Sequence, residues 1–269
     1  MYESKDPGSR SPELVIENIH KVFRSSEGEV FALERINLSI NRGEFVAILG
    51  PSGCGKTTLL NTIAGFSPPS SGKVFVNGTE VTSPGPDRGM VFQEYGLFPW
   101  MSVEKNISFG LEIKKLKKSE IKNRVDALLE KLQLVDFRQR FPKDLSGGMK
   151  QRVAIARVLA LDSPIMLMDE PFGALDALTR RTMQDELLRI WLEFRKTIIF
   201  VTHGIQESIY LADRVVVMTY RPGSIKEIVP VSLPRPRDEN SSQFVEIQKH
   251  LSNLVMEEQM RFRNSENKI

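Results

Sequence analysis

Gly50-Pro51-Ser52-Gly53-Cys54-Gly55-Lys56-Thr57 decides the fold. The apolar stretch Phe45-Val46-Ala47-Ile48-Leu49 runs into it and Thr58-Leu59-Leu60-Asn61-Thr62-Ile63-Ala64 leaves it, so strand, glycine-rich loop and helix follow in order. Such a loop turns successive backbone N–H groups inward, and the helix N-terminus adds partial positive charge, so a nucleotide β-phosphate meets donors that already converge. In this pattern Lys56 reaches the β- and γ-phosphates and the Thr57 hydroxyl binds Mg²⁺. The alternative, an ordinary glycine-rich turn between strand and helix, is disfavoured because the complete pattern stands in its required setting. Residues Gly50, Pro51, Ser52, Gly53, Cys54, Gly55, Lys56, Thr57 and Thr58 are the first candidate binding residues. Cys54 occupies a variable loop position, where a small side chain without chemistry suffices.

Composition bounds the rest. A chain of 269 residues can form one large domain or a domain with an insertion. With 41% apolar and 26% charged residues it has the balance of an ordinary soluble protein. A net charge of +3 does not argue for a nucleic-acid partner. The apolar runs at Thr197–Val201 and Val215–Met218 fall far short of the roughly 18 residues that cross a bilayer. The first ten residues are polar, unlike a signal peptide, and a single cysteine allows no intrachain disulfide, so a cytosolic location is expected.

Along the chain, residues 1–11 read as a disordered tail. Val15–Phe23 and Phe31–Ile40 alternate like half-exposed strands joined by a turn at Ser25–Gly28, and Gly72–Gly78 reads as a strand entering a turn. From about 101 to 161 the pattern is helical, with Ile121, Val125, Leu128, Leu129 and Leu132 at helical spacing, which predicts a helical insertion in an α/β domain. Pro164–Met168 returns to strand, and Met183, Leu187, Trp191 and Phe194 mark one face of a helix. The region from Arg221 is rich in proline and is followed by a predicted helix from Gln243 to about Met260, with Phe244, Ile247, Leu251 and Leu254 on one face.

The chemistry collects where apolar strands end. Ile165-Met166-Leu167-Met168 runs into Asp169-Glu170, and adjacent strand positions point to opposite sides, so the two acids can take different tasks. Asp169 suits coordination of Mg²⁺, and Glu170 suits polarising the water that attacks a γ-phosphate. Met90-Val91-Phe92 runs into Gln93, whose carbonyl can coordinate the metal or position water. Ile198-Ile199-Phe200-Val201 runs into Thr202-His203, whose imidazole can hydrogen-bond a phosphate oxygen. Taken alone, Gln93 or His203 would read as a satisfied structural group; their order along the chain gives them weight. A second glycine-rich helix start, Leu145-Ser146-Gly147-Gly148-Met149-Lys150-Gln151-Arg152, places Ser146 90 residues after Lys56.

This order of motifs resembles the ATP-binding subunit of ABC transporters over about residues 12–230. The resemblance implies an α/β fold: a P-loop NTPase core with an N-terminal antiparallel β subdomain, an inserted α-helical subdomain at about 101–161, and a C-terminal extension over 231–269. It also implies the site. Leu145–Arg152 looks like the signature motif, contributing Ser146, Gly147 and Gly148 to ATP. Asp169 and Glu170 look like the Walker B magnesium ligand and catalytic base, Gln93 like the Q-loop residue, His203 like the switch histidine and Ala174-Leu175-Asp176 like the D-loop. Lys56, Gln93, Glu170 and His203 are then the catalytic set, and Thr57, Gln93 and Asp169 hold Mg²⁺. Phe23 falls where the family usually has a tyrosine stacked on adenine; strand packing is the competing account.

In the family two copies pack head to tail, each ATP lying between one copy's phosphate loop and the other's signature motif. The implied partners are a second copy, integral-membrane permease subunits and, indirectly, an extracytoplasmic solute-binding protein, at the cytoplasmic face of a bacterial inner membrane. Gln93–Trp100, Asp176–Arg180 with Met183–Leu188, and Arg221-Pro222-Gly223 with Leu233–Arg237 are similar to the nitrate, sulfonate and taurine uptake branch. Phe92, Tyr95, Phe98 and Trp100 could line a groove for a permease helix or pack the joint to the helical insertion. The competing readings are a soluble ABC ATPase acting on DNA or ribosomes, and a P-loop kinase or GTPase, which would need neither the Ser146 motif nor His203.

Overall fold

The computed structural model describes residues 12–26 and 28–266, so the expectation for the tail at 1–11 lies outside the described residues. The chain begins β1 (Pro12–Ser25), β2 (Gly28–Asn41), β3 (Phe45–Leu49), α1 (Lys56–Ala64), β4 (Ser71–Val76), β5 (Thr79–Glu80) and β6 (Arg88–Val91). Three helices follow, α2 (Val103–Ile113), α3 (Lys118–Lys131) and α4 (Gly147–Ala160). The remainder is β7 (Ile165–Asp169), α5 (Ala177–Phe194), β8 (Thr197–Thr202), α6 (Ile205–Leu211), β9 (Arg214–Met218), β10 (Ile225–Pro230) and α7 (Ser242–Glu266).

The apolar runs become the strands of one six-stranded sheet, ordered β10-β9-β3-β8-β7-β6, in which only the β9–β10 pair is antiparallel. Parallel strands covered on both faces need apolar side chains on both, which is why every residue of β3 and β8 is buried. Alternation divides these side chains between two cores. Val46, Ile48, Leu167, Ile199 and Val216 point to the core shared with α1 and the antiparallel sheet β2-β1-β4-β5. Ala47, Leu49, Met168, Phe200 and Val217 point to the core shared with α4 and α5. In β2, Ile36, Leu38 and Ile40 alternate with exposed neighbours, as one packed face requires.

The helical insertion is fastened to the sheet by close approaches. A Cβ on Gly89 would lie 2.2 Å from Val158 Cγ1, and one on Gly110 would lie 2.6 Å from Leu161 Cδ2, so α4 and its C-terminal turn pack directly against β6 and α2. The four aromatic residues after β6 divide their tasks, and Phe92 stacks on Phe66 with ring centroids 6.2 Å apart. Tyr95 packs on the core, Phe98 lies 4.6 Å from Phe109 between ring centroids, and Trp100 is 70% exposed.

The proline-rich region holds a strand that its composition obscures. Ile225–Pro230 pairs antiparallel with β9 at the sheet edge, and Pro230 is tolerated as its last residue because an edge strand needs no donor there. Beyond it α7 returns to the core: Phe244 and Leu251 are fully buried. Each such burial contributes about 1.5–3 kcal/mol, enough to hold the helix to its own chain.

Candidate active site

Parallel register brings four strand ends to one edge: Leu49 pairs with Thr202, Asp169 with Val201, and Val91 with Met168. The segments after these strands carry Gly50–Thr57, His203, Glu170 and Gln93, at the carboxyl edge where open α/β sheets take ligands.

In the glycine-rich loop Gly53 has φ 78° and Gly55 φ 97°, a left-handed region that disfavours side chains. A Cβ on Gly55 would also lie 2.8 Å from Ala32 O. Gly55 is the N-cap of α1, which has no side-chain cap and no acid in its first turn, so that helix start retains N–H groups for an anion. The Lys56 ammonium is buried and donates to Gly50 O at 2.8 Å and Pro51 O at 3.0 Å. Cys54 is buried behind the loop, and burial pushes its thiol pKa up.

Thr57 Oγ1 donates to Asp169 Oδ1 at 3.1 Å. Burial pushes the Asp169 carboxyl up, with the neighbouring Glu170 charge adding and the Thr57 bond opposing. One carboxylate and one hydroxyl are too few oxygens to hold Mg²⁺ alone, but they fit an ion whose remaining ligands are phosphate oxygens and water. Among the described residues no cluster of three or more acid, histidine or cysteine side chains could hold a metal.

Glu170 departs from the expected strand geometry. β7 ends at Asp169, and Glu170 takes φ 43° with its N–H donating to Val201 O at 3.0 Å. The two acids diverge because the backbone turns left-handed, a conformation costing a non-glycine residue about 1–2 kcal/mol, rather than through strand alternation. That turn carries Glu170 Oε2 to 3.0 Å from His203 Nδ1.

Gln93 sits two residues past β6 beside the same turn: a Cβ on Gly173 would lie 3.8 Å from Gln93 Nε2 and 3.4 Å from Glu170 O. Its amide makes no hydrogen bond to the Thr57–Asp169 pair among the described residues. Phe23 is 45% exposed and belongs to neither core; with Ser52, Gly53, Lys56, Thr57 and Thr58 it lines an open cleft of about 280 Å³. Lys21 Nζ lies 5.0 Å from the centroid of that ring.

The second helix start is built differently. Ser146 is the N-cap of α4, and its Oγ accepts from Met149 N at 3.3 Å. A Cβ on Gly147 would lie 2.9 Å from Leu175 Cδ2, and one on Gly148 would lie 3.1 Å from Thr179 Cγ2. These glycines let α4 abut the segment in which Asp176 caps α5 by accepting from Thr179 N at 3.0 Å. Ser146, Gly148, Leu178 and Thr179 line a shallow surface that shares no residue with the cleft at Lys56.

Arg221 was not singled out by its sequence position, except as part of the Arg-Pro-Gly stretch. It lines the cleft, and its Nε donates to Gly53 O at 3.0 Å across 168 residues of sequence.

Comparison with known proteins places this arrangement. Residues 33–173 match the ABC transporter family. The chain is 46% identical to the aliphatic sulfonates import ATP-binding protein SsuB of Bacillus cereus (strain ZK / E33L), over 87% of this chain and 92% of that one. It is also 46% identical to the bicarbonate transport ATP-binding protein CmpD of Synechocystis sp., over 84% and 81%. A solved dimeric ATP-binding cassette in a post-hydrolysis state, bound to ADP and Pi, superposes with TM-score 0.72 at 32% identity, covering 82% of this chain and all of that one. The chain belongs to the ABC transporter family and is an ATPase of the ABC cassette fold.

Proposed function

We propose that this ATPase powers an importer for a small anion such as nitrate, a sulfonate or taurine, working through separate permease subunits that receive solute from an extracytoplasmic binding protein. Relatives named for sulfonate and for bicarbonate are equally similar to it, which favours a solute read by the other subunits. Among the described residues no helix is long and apolar enough to cross a membrane, so transport requires a membrane partner. The surface suited to it is an apolar groove of about 560 Å³ beside Trp100, lined by Phe66, Phe92, Phe98, Phe109, Ile113 and Leu161. A groove of this kind takes the apolar face of a helix.

Two copies close head to tail, the Ser146–Gly148 start of one facing the Gly50–Thr58 loop of the other. Within a copy, Lys56 exchanges the Gly50 and Pro51 carbonyls for phosphate oxygens, and Phe23 stacks on adenine. Thr57 and Asp169 would hold Mg²⁺, with Gln93 beside the reacting end, and the ion would supply charge neutralisation of the phosphates. Glu170 takes the proton of the attacking water, and His203 holds that carboxylate and hydrogen-bonds the γ-phosphate. ATP thus favours the closed pair and loss of the γ-phosphate reopens it.

The observation that carries this mechanism is the 3.0 Å contact between Glu170 and His203 beside the Thr57–Asp169 pair. Positioned general bases contribute about 10²–10⁴-fold. Glu170→Gln should lower turnover by that order while ATP binding persists and a dimer accumulates on a sizing column. Turnover near that of the unaltered protein would remove Glu170 from the role of base.

A further inference from the structure

The turn between β9 and β10 forms a wall of the nucleotide cleft. Gly223 N donates to Ala32 O at 3.0 Å, Glu34 N donates to Gly223 O at 2.9 Å, and a Cβ on Gly223 would lie 2.0 Å from Cys54 O. This wedges the turn between β2 and the phosphate loop. From behind, α7 holds it: Tyr220 N donates to Glu258 Oε2 at 3.0 Å, and Tyr220 and Phe262 have ring centroids 4.6 Å apart. Glu258 is fully buried and is neutralised by Lys226 at 2.8 Å and Arg261 at 3.1 Å.

On this mount stands Arg221, whose Nε–H is taken by Gly53 O. A guanidinium has five N–H donors, so its terminal groups retain donors and charge. Among the described residues no carboxylate pairs with it. Lys56 and Arg221 are the two cations lining the cleft, and they sit on opposite arms of the loop's contacts: Lys56 donates to Gly50 O and Pro51 O, Arg221 to Gly53 O. Arg221 lines the same cleft as Phe23 and is tied to the middle of the phosphate loop.

We propose that Arg221 is a nucleotide-binding residue: its terminal N–H groups engage the ribose and α-phosphate portion of the ligand between Phe23 and the loop. The proposal rests on the nucleotide-site reading above and extends it to the C-terminal part of the chain, because α7 fixes the turn that presents the guanidinium. That portion is common to ATP and ADP, so the contribution should be equal for both.

The test measures Kd for ATP and for ADP on the full-length chain by titration calorimetry, at low and high salt, for the unaltered protein, Arg221→Ala and Arg221→Lys. Arg221→Ala should weaken both nucleotides by about five-fold, as loss of one exposed charge-assisted contact does, and should flatten the salt dependence. Arg221→Lys should recover the salt dependence and part of the affinity. The unfolding midpoint without nucleotide should shift only by the small amount that loss of one exposed bond to Gly53 O gives, less than the loss in affinity, which separates ligand contact from bracing of the loop. Affinity of Arg221→Ala within two-fold of the unaltered protein, a loss confined to ATP, or a loss matched by a fall in the nucleotide-free midpoint would each overturn the proposal. An unaltered chain that bound neither nucleotide would instead overturn the site reading beneath it.

Discussion

Helix α1 begins at Gly55 with no side chain capping its first turn, whereas α4 begins at Ser146, whose hydroxyl already accepts from Met149 N. The first start lies in a cleft walled by its own chain, with Lys56 buried and Thr57 bonded to Asp169. The second lies on an open face beside Leu178, which is 80% exposed. An uncapped helix start in a cleft offers its free N–H groups to an anion. A capped start on an open face keeps a hydroxyl proton to donate, but has nothing opposite to donate to until another surface arrives. On the proposed head-to-tail closure the two glycine-rich motifs are unequal halves: one would bind, and the other would complete.

The largest test of that inequality is Ser146→Arg. A bulky cation at the open face should leave ATP affinity within about two-fold, yet cut hydrolysis by roughly 10²–10³, the range for losing a preorganised donor at a developing charge. Survival of hydrolysis would break the comparison, because the second start would then be dispensable. Lys56→Ala should act on the opposite quantity, weakening ATP binding by about 10–100-fold, since a hydrogen bond from a charged group contributes about 1.5–3 kcal/mol. Equal loss of affinity from both substitutions would mean that both starts belong to one binding event. Phe23→Ala sharpens the uncapped half: a stacked base is worth about 1–3 kcal/mol, and for a half-exposed ring the lower end, about five-fold in Kd, is expected. An unchanged Kd measured with an adenine nucleotide would move that ring out of the site.

Much of this was legible because strong local patterns have few physical solutions. Phe45–Leu49 followed by a loop with three glycines and Lys56 admits a buried strand, a left-handed turn and a helix start. The α5 face at Met183, Leu187 and Trp191 is buried as its spacing requires. Legibility failed where geometry came from elsewhere in the chain. The divergence of Asp169 and Glu170 arises from a positive φ fixed by Val201, not from alternation. Ile225–Pro230 lies in a region legible only as proline-rich, because a short edge strand takes its pairing from β9 rather than from its own composition.

The sequence by itself determined that this is an α/β nucleotide-site protein of the ABC kind, because hydrophobic period and glycine spacing constrain neighbouring residues directly. Only the tertiary structure decided which distant groups meet: Thr57 with Asp169, Glu170 with His203, and Gly53 with Arg221. These pairings depend on parallel register and on a turn held by a buried glutamate. Such contacts join residues 33 to 168 positions apart, where no local periodicity can reach.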